Sequence, residues 1–266
     1  MVAVAADNVH TYSNTGKSHT LGLRDDGTVV ATGWNAHGQC EVHDWRGIRS
    51  LAAGWRFTLG VREDGTVIST GRNAEGQCNV NDWRDITAVS CGDWHSVGLR
   101  ADGTLIGTGI NRSGLRDFEG WTDLVAASAG YLHTLGLTAD GRVHATGDNA
   151  SGACNTSGWR DIIHVAAGSH HSLGLTSSGT VLAVGTNTHG QCNTSDWDDV
   201  VAIAAGSRHS LALRSDGTAL ATGSNEHHQC DAAARQRPTS RPCSPRSSLF
   251  SESGAAKGVR NYRDEG

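Results

Sequence analysis

Apolar and polar positions alternate along this chain in short bursts, and the bursts recur. Thr58-Leu59-Gly60-Val61 and Thr66-Val67-Ile68-Ser69 are β-favouring runs separated by Asp64-Gly65, a pair that tolerates the positive φ of a tight turn. Together they predict a β-hairpin. Upstream lies an apolar run rich in small residues, at 48–54, 86–92, 124–130, 162–168 and 200–206, which reads as a further strand. The turn glycines Gly27, Gly65, Gly103, Gly141, Gly179 and Gly217 are spaced 38 residues apart without insertion or deletion. The repeating unit is therefore three antiparallel strands and a long return segment, present six times; no 3.6-residue apolar period supports helical repeats.

The first unit carries extra residues in its first interstrand loop, at 7–18. That loop contains Gly16-Lys17-Ser18, but Thr11 replaces the leading glycine that a phosphate loop requires, so nucleotide binding is discarded there. The pattern ends near Cys230. Beyond it, Pro238, Pro242 and Pro245, the chain's three prolines, stand among Arg235, Arg237, Arg241 and Arg246. The chain thus divides into a repeat domain, 1–230, and a basic, proline-containing tail, 231–266, that reads as disordered.

Three slots recur with the hairpin. Trp45, Trp83, Trp121, Trp159 and Trp197 occupy one position of the return segment, where a repeated indole is expected to pack between units. His19, His95, His133, His171 and His209 open the middle strand, with Phe57 in the second unit. A slot that accepts Phe is read as a hydrogen-bonded structural histidine rather than a metal ligand. Cys40, Cys78, Cys154, Cys192 and Cys230 share a third slot, filled by Arg116 in the third unit. A common slot holds neighbours too far apart for a disulfide, and no Cys-x-x-Cys pair suggests a metal, so buried free thiols are expected.

Glycine is abundant, at 35 residues, as many tight turns require. No apolar run is long enough for a membrane span, and the first residues lack a signal peptide's basic start and apolar core; the numbered chain reads as cytoplasmic. Residues 232–266 hold seven Lys/Arg against three Asp/Glu, leaving 15 against 24 in the rest, a net of −9. The repeat domain therefore lacks the basic footprint of nucleic-acid binding. No G-x-S-x-G or H-E-x-x-H pattern occurs and the His and Asp positions are periodic, so neither catalytic residues nor a cofactor or metal site are expected.

The pattern Gly-x-x-His-[Ser/Thr]-Leu-x-Leu-x-x-Asp-Gly-Thr-Val-x-x-x-Gly-x-Asn-x-x-Gly-Gln-Cys, seen for example in Leu135-Gly136-Leu137 with Asp140-Gly141, resembles the repeat of the regulator of chromosome condensation superfamily. The resemblance covers roughly residues 2 to 230. Its short period is similar to bacterial members such as the β-lactamase-inhibitory propeller protein. It implies an all-β propeller, usually of seven blades. Six units of three to four strands are present here, so either six close on themselves or the ring is an incomplete seven-bladed one, whose open blade edges could self-associate.

Strand parity places two variable sets on one rim: the residues between the first strand and the His slot, and the residue after the third strand. They include Trp34, Trp55, Arg56, Arg72, Trp94, Tyr131, His170 and Arg208. Trp, Tyr and Arg dominate binding hot spots, so this rim is expected to face solvent and bind a protein partner of unspecified identity. The expected function is a non-enzymatic scaffold, adaptor or inhibitor. The eukaryotic branch of the resemblance implies an alternative, guanine-nucleotide exchange on a small GTPase, for which segment 7–18 is the only extra wedge.

Overall fold

The computed structural model describes residues 1, 3–6 and 17–231. The extra segment before residue 17 and the tail from residue 232 lie outside the described residues. So do Cys243 and the expectation of a disordered terminus.

Six three-stranded antiparallel sheets follow one another, each in sequence order. Blade one comprises β1 (Ala3–Ala6), β2 (His19–Leu23) and β3 (Val29–Gly33). Blade two comprises β4 (Ile48–Gly54), β5 (Phe57–Arg62) and β6 (Val67–Gly71). Blade three comprises β7 (Ile86–Cys91), β8 (His95–Arg100) and β9 (Leu105–Gly109). Blade four comprises β10 (Leu124–Ala129), β11 (His133–Thr138) and β12 (Val143–Gly147). Blade five comprises β13 (Ile162–Ala167), β14 (His171–Thr176) and β15 (Val181–Gly185), and blade six β16 (Val200–Ala205), β17 (His209–Arg214) and β18 (Ala219–Gly223).

The first strand of each blade packs on the first strand of the next, from β1 through β16, so the small-residue strands are innermost. Ala and Gly suit that position because successive inner strands approach closely. A β-carbon on Gly92 would meet the carbonyl oxygen of Gly130 at 2.3 Å, and one on Gly130 that of Gly168 at 2.4 Å. These glycines are fixed by the neighbouring backbone.

Apolar side chains gather between blades rather than within them. Five buried clusters occur, one for each successive pair. Between blades two and three, Leu59, Val61 and Val67 meet Ile86 and Val89, with Val80 and Trp83 of the return segment filling the space. The tryptophan slot is structural, as its repetition predicted: Trp45, Trp83, Trp159 and Trp197 are all buried.

The histidine slot is equally consistent. His19 Nε2 lies 2.8 Å from Thr58 Oγ1 of the next blade, His95 2.9 Å from Thr134, His133 2.9 Å from Ser172 and His171 3.0 Å from Ser210. Each of these hydroxyls donates its own proton to a return-segment carbonyl, as Thr58 does to Gln39 at 2.8 Å and Ser172 to Ala153 at 2.8 Å. The imidazole must then donate through Nε2–H. Burial drives the pKa of His95, His133 and His171 down to about 3.

Candidate functional site

The rim is built by a hydrogen bond repeated in every blade. The residue after the third strand donates its backbone N–H to the second residue of the turn between the first two strands. The bonds are Trp34 to Ser18, Arg72 to Arg56, Ile110 to Trp94, Asp148 to Leu132, Thr186 to His170 and Ser224 to Arg208, at 2.7 to 3.1 Å. This ties both variable sets to one edge.

On blades one to three the rim side chains interleave. The Arg56 guanidinium lies 4.9 Å from the Trp34 ring centre and 4.0 Å from that of Trp55. That of Arg72 lies 5.1 Å from Trp55 and 5.4 Å from Trp94. Trp55 and Trp94 meet at 4.7 Å between centres with a 58° tilt. Three indoles and two guanidinium planes thus form one continuous stack, the geometry in which cation–π attraction acts. His37 closes its outer end edge-on to Trp34 at 5.2 Å, with Arg56 Nη1 3.5 Å from its Nε2. Glu75 holds Arg72 in a two-pronged ion pair, one arm of which, Nη2 to Oε1, is 2.6 Å. Burial, then Arg56 and Arg72, depress the His37 pKa; burial, then Arg72, depress that of Arg56.

Sequence reasoning missed His37 and Glu75. Both sit in a return segment, three residues beyond the rim positions Trp34 and Arg72. It also missed the backbone of Arg56, which at φ 68° is left-handed, unlike the matching residues Trp94, Leu132, His170 and Arg208. Such a conformation in a bulky residue is costly and is held only by its surroundings.

The expectation that both turn residues face solvent is corrected. Trp55 is only 9% exposed, Asp93 4% and Ser169 1%. The first turn residue crosses the joint to meet the second turn residue of the next blade: Trp55 meets Trp94, and Tyr131 meets His170 edge-on at 5.5 Å. Ser169 Oγ reaches the matching first-position Ser207 Oγ of the next blade at 3.2 Å. First positions on blades two, four and five therefore contact the turn of the neighbouring blade.

Tyr131 and His170 form a separate contact on blades four and five. Arg208 is near enough to lower the pKa of His170, which burial depresses first and Asp148 opposes.

The shared cysteine slot lies just beneath the rim. Cys78 Sγ is 3.3 Å from the Arg72 carbonyl and Cys230 Sγ 3.2 Å from that of Ser224. Among the described residues six cysteines are outside any disulfide, as the spacing predicted, but those of the slot are half-buried and Cys91 alone is fully buried. Burial raises the pKa of Cys78, Cys154 and Cys192 to about 11. Among the described residues no cluster of His, Cys, Asp or Glu is arranged to hold a metal, and no helix is long and apolar enough to cross a membrane.

Fold and rim together define a six-bladed all-β propeller whose blade ends carry a varied set of side chains. The chain belongs to the regulator of chromosome condensation (RCC1) repeat family, whose sequence profile matches residues 14–39, 48–77, 86–115, 125–153, 162–191 and 200–229. Among solved structures it is similar to Prp20p of Saccharomyces cerevisiae, a protein characterised for its binding to Gsp1p and histones. The identity is 17%, the TM-score 0.64, and the alignment covers 83% of this chain and 71% of that one. It is also similar to the ectodomain of the Arabidopsis thaliana receptor kinase ACR4, at 22% identity and a TM-score of 0.67, covering 83% of this chain and 84% of that one. The ectodomain of Physcomitrella patens CR4 is 20% identical with a TM-score of 0.68, covering 85% of this chain and 64% of that one. At these identities the likeness concerns the fold. No match emerges among curated proteins.

Proposed function

We propose that this chain is a non-enzymatic protein-binding scaffold, acting as an adaptor or inhibitor, and that its partner docks on the rim of blades one to three. The observation that carries this reading is the stack of Trp34, Arg56, Trp55, Arg72 and Trp94. Tryptophan and arginine are the residues most enriched at binding hot spots, and a pre-stacked set loses little side-chain freedom on binding. The left-handed Arg56 supports the same reading, since backbone strain is concentrated at functional sites. Tyr131, His170 and Arg208 extend the surface across blades four to six.

The test uses affinity capture from the source cell, with wild type, Trp34→Ala and Trp94→Ala as baits. Both indoles are half-buried. Each substitution is expected to weaken a captured partner by about 2 kcal/mol or more. A partner retained equally by all three baits would place the interface elsewhere. Accelerated nucleotide release from a small GTPase would instead favour exchange.

A further inference from the structure

Among the described residues five joints hold six blades, and the two end faces carry the parts of a sixth joint that is not made there. At four joints an aliphatic side chain in the middle of the inner strand enters the apolar pair of the preceding blade. Leu51 packs with Leu21 and Leu23, Val89 with Leu59 and Val61, Val165 with Leu135 and Leu137, and Ile203 with Leu173 and Leu175. Blade one has Val4 at this position, 39% exposed. Blade six has the receiving pair, Leu211 and Leu213, both half-buried where their counterparts are fully buried.

The polar half of the joint is likewise unmade. His209 is the donor of blade six, yet its imidazole has no hydrogen bond among the described residues. Thr20 is the matching acceptor of blade one and is exposed, whereas Thr58, Ser96, Thr134, Ser172 and Ser210 are buried. Terminal units of repeat arrays ordinarily present a polar outer face; these present the interior's.

Neither end can complete the other. At four of the five joints an indole from the return segment lies over a middle-strand glycine, so close that a β-carbon on Gly60 would meet Trp45 at 2.7 Å and one on Gly174 would meet Trp159 at 2.7 Å. The corresponding glycine of blade one is Gly22, covered instead by Met1. Its indole would stand one period after Trp197, where the sequence has Arg235. Blade six, whether of the same chain or of a second copy, therefore lacks the group that Gly22 is shaped to receive.

We propose that the two end faces bind one further β-sheet blade of this repeat class, supplied from outside residues 1–231 and bringing its own indoles. The site continues an interface the molecule already forms five times. The inserted blade supplies an aliphatic residue to Leu211 and Leu213, a hydroxyl to His209, an apolar pair to Val4, a histidine to Thr20 and an indole to Gly22. This site is separate from the rim, so rim variants leave it intact.

The probe is a synthetic peptide with the sequence of residues 156–199, which contains every one of those groups: Trp159, Val165, His171, Ser172, Leu173, Leu175 and Trp197. Mixed with the full chain, it is expected to form a one-to-one complex in sedimentation and to raise the melting temperature. Trp197→Ala in the peptide should weaken binding by about a hundredfold. Leu211→Asp or Thr20→Lys in the chain should abolish it, the second at an exposed position that leaves the fold undisturbed. The same residues inserted after Asp231 preserve the repeat register and should raise the melting temperature without dependence on peptide solubility. No rise in the inserted form, or peptide binding that survives both chain variants, overturns the proposal. So does self-association of the chain alone that Leu211→Asp and Thr20→Lys abolish, because a second copy would then be the occupant.

Discussion

His95, His133 and His171 are held neutral in the joints, with pKa values driven by burial to about 3, while an imidazole in an unfolded chain titrates near 6.5. The unfolded state therefore binds more protons below pH 6.5. Stability is fully present above that value and is lost progressively as pH falls toward 3, by about 2 kcal/mol per histidine at pH 5. Urea midpoints should fall between pH 7.5 and pH 5. Phe57 shows that an aromatic ring without a proton can fill the slot, and Ser96 there keeps its 2.7 Å bond to the Gln77 carbonyl. His133→Phe should thus fold, change stability at pH 7.5 by no more than about 1.5 kcal/mol, and remove one histidine's share of the acid-dependent loss, about 2 kcal/mol at pH 5. An unchanged pH profile would show that His133 is not the neutral group described. The histidine slot was legible in the sequence because one substitution, Phe57, excluded a metal role. The burial of Trp55 was not, since a side chain that reaches across a joint looks the same in sequence as one that faces water.

Each blade is a hairpin with an added inner strand, and all three strands were legible from alternation and turn chemistry, because both depend on residues near one another in the chain. The joints depend on residues a full period apart, and only the repeated indole announced them. Trp83 is 3% exposed between Val80 and Ile86. Trp83→Ala should cost on the order of 3 to 5 kcal/mol and lower the melting temperature by about 10 °C, read by calorimetry. The methyl of Ala212 stands where other blades have the glycine beneath the indole, in the same cluster as Trp197. Gly98→Ala should accordingly be far milder than Trp83→Ala, about 1 kcal/mol, with the indole shifting to admit the methyl. The half-buried thiols give a further check on each return segment. With pKa values near 11, Cys78, Cys154 and Cys192 should alkylate slowly at pH 8 in the folded protein and quickly in denaturant.

Across the whole molecule, coupling runs only from blade to neighbouring blade, and the described residues make five such links for six units. The number of units was plain from the period, whereas the state of the end faces was not, because the residues that would mate are present in the sequence on both sides. A linear array unfolds from its ends, where each unit has one neighbour instead of two. Amide hydrogen exchange should be slowest in β8 and β11, at the middle, and fastest in β2 and β17. Equal protection in all six middle strands would show that the ends are joined in solution.

An open row of blades is a zipper with two loose tabs, whereas a closed ring is a buckled belt. Proteases and chaperones meet whichever tab lifts first, so the lifetime of this protein in a cell is governed by its first and last blades even though its richest surface spans blades one to three. Anything that fastens the tabs lengthens that lifetime without touching the rim, and the abundance of the protein then reports on the company it keeps.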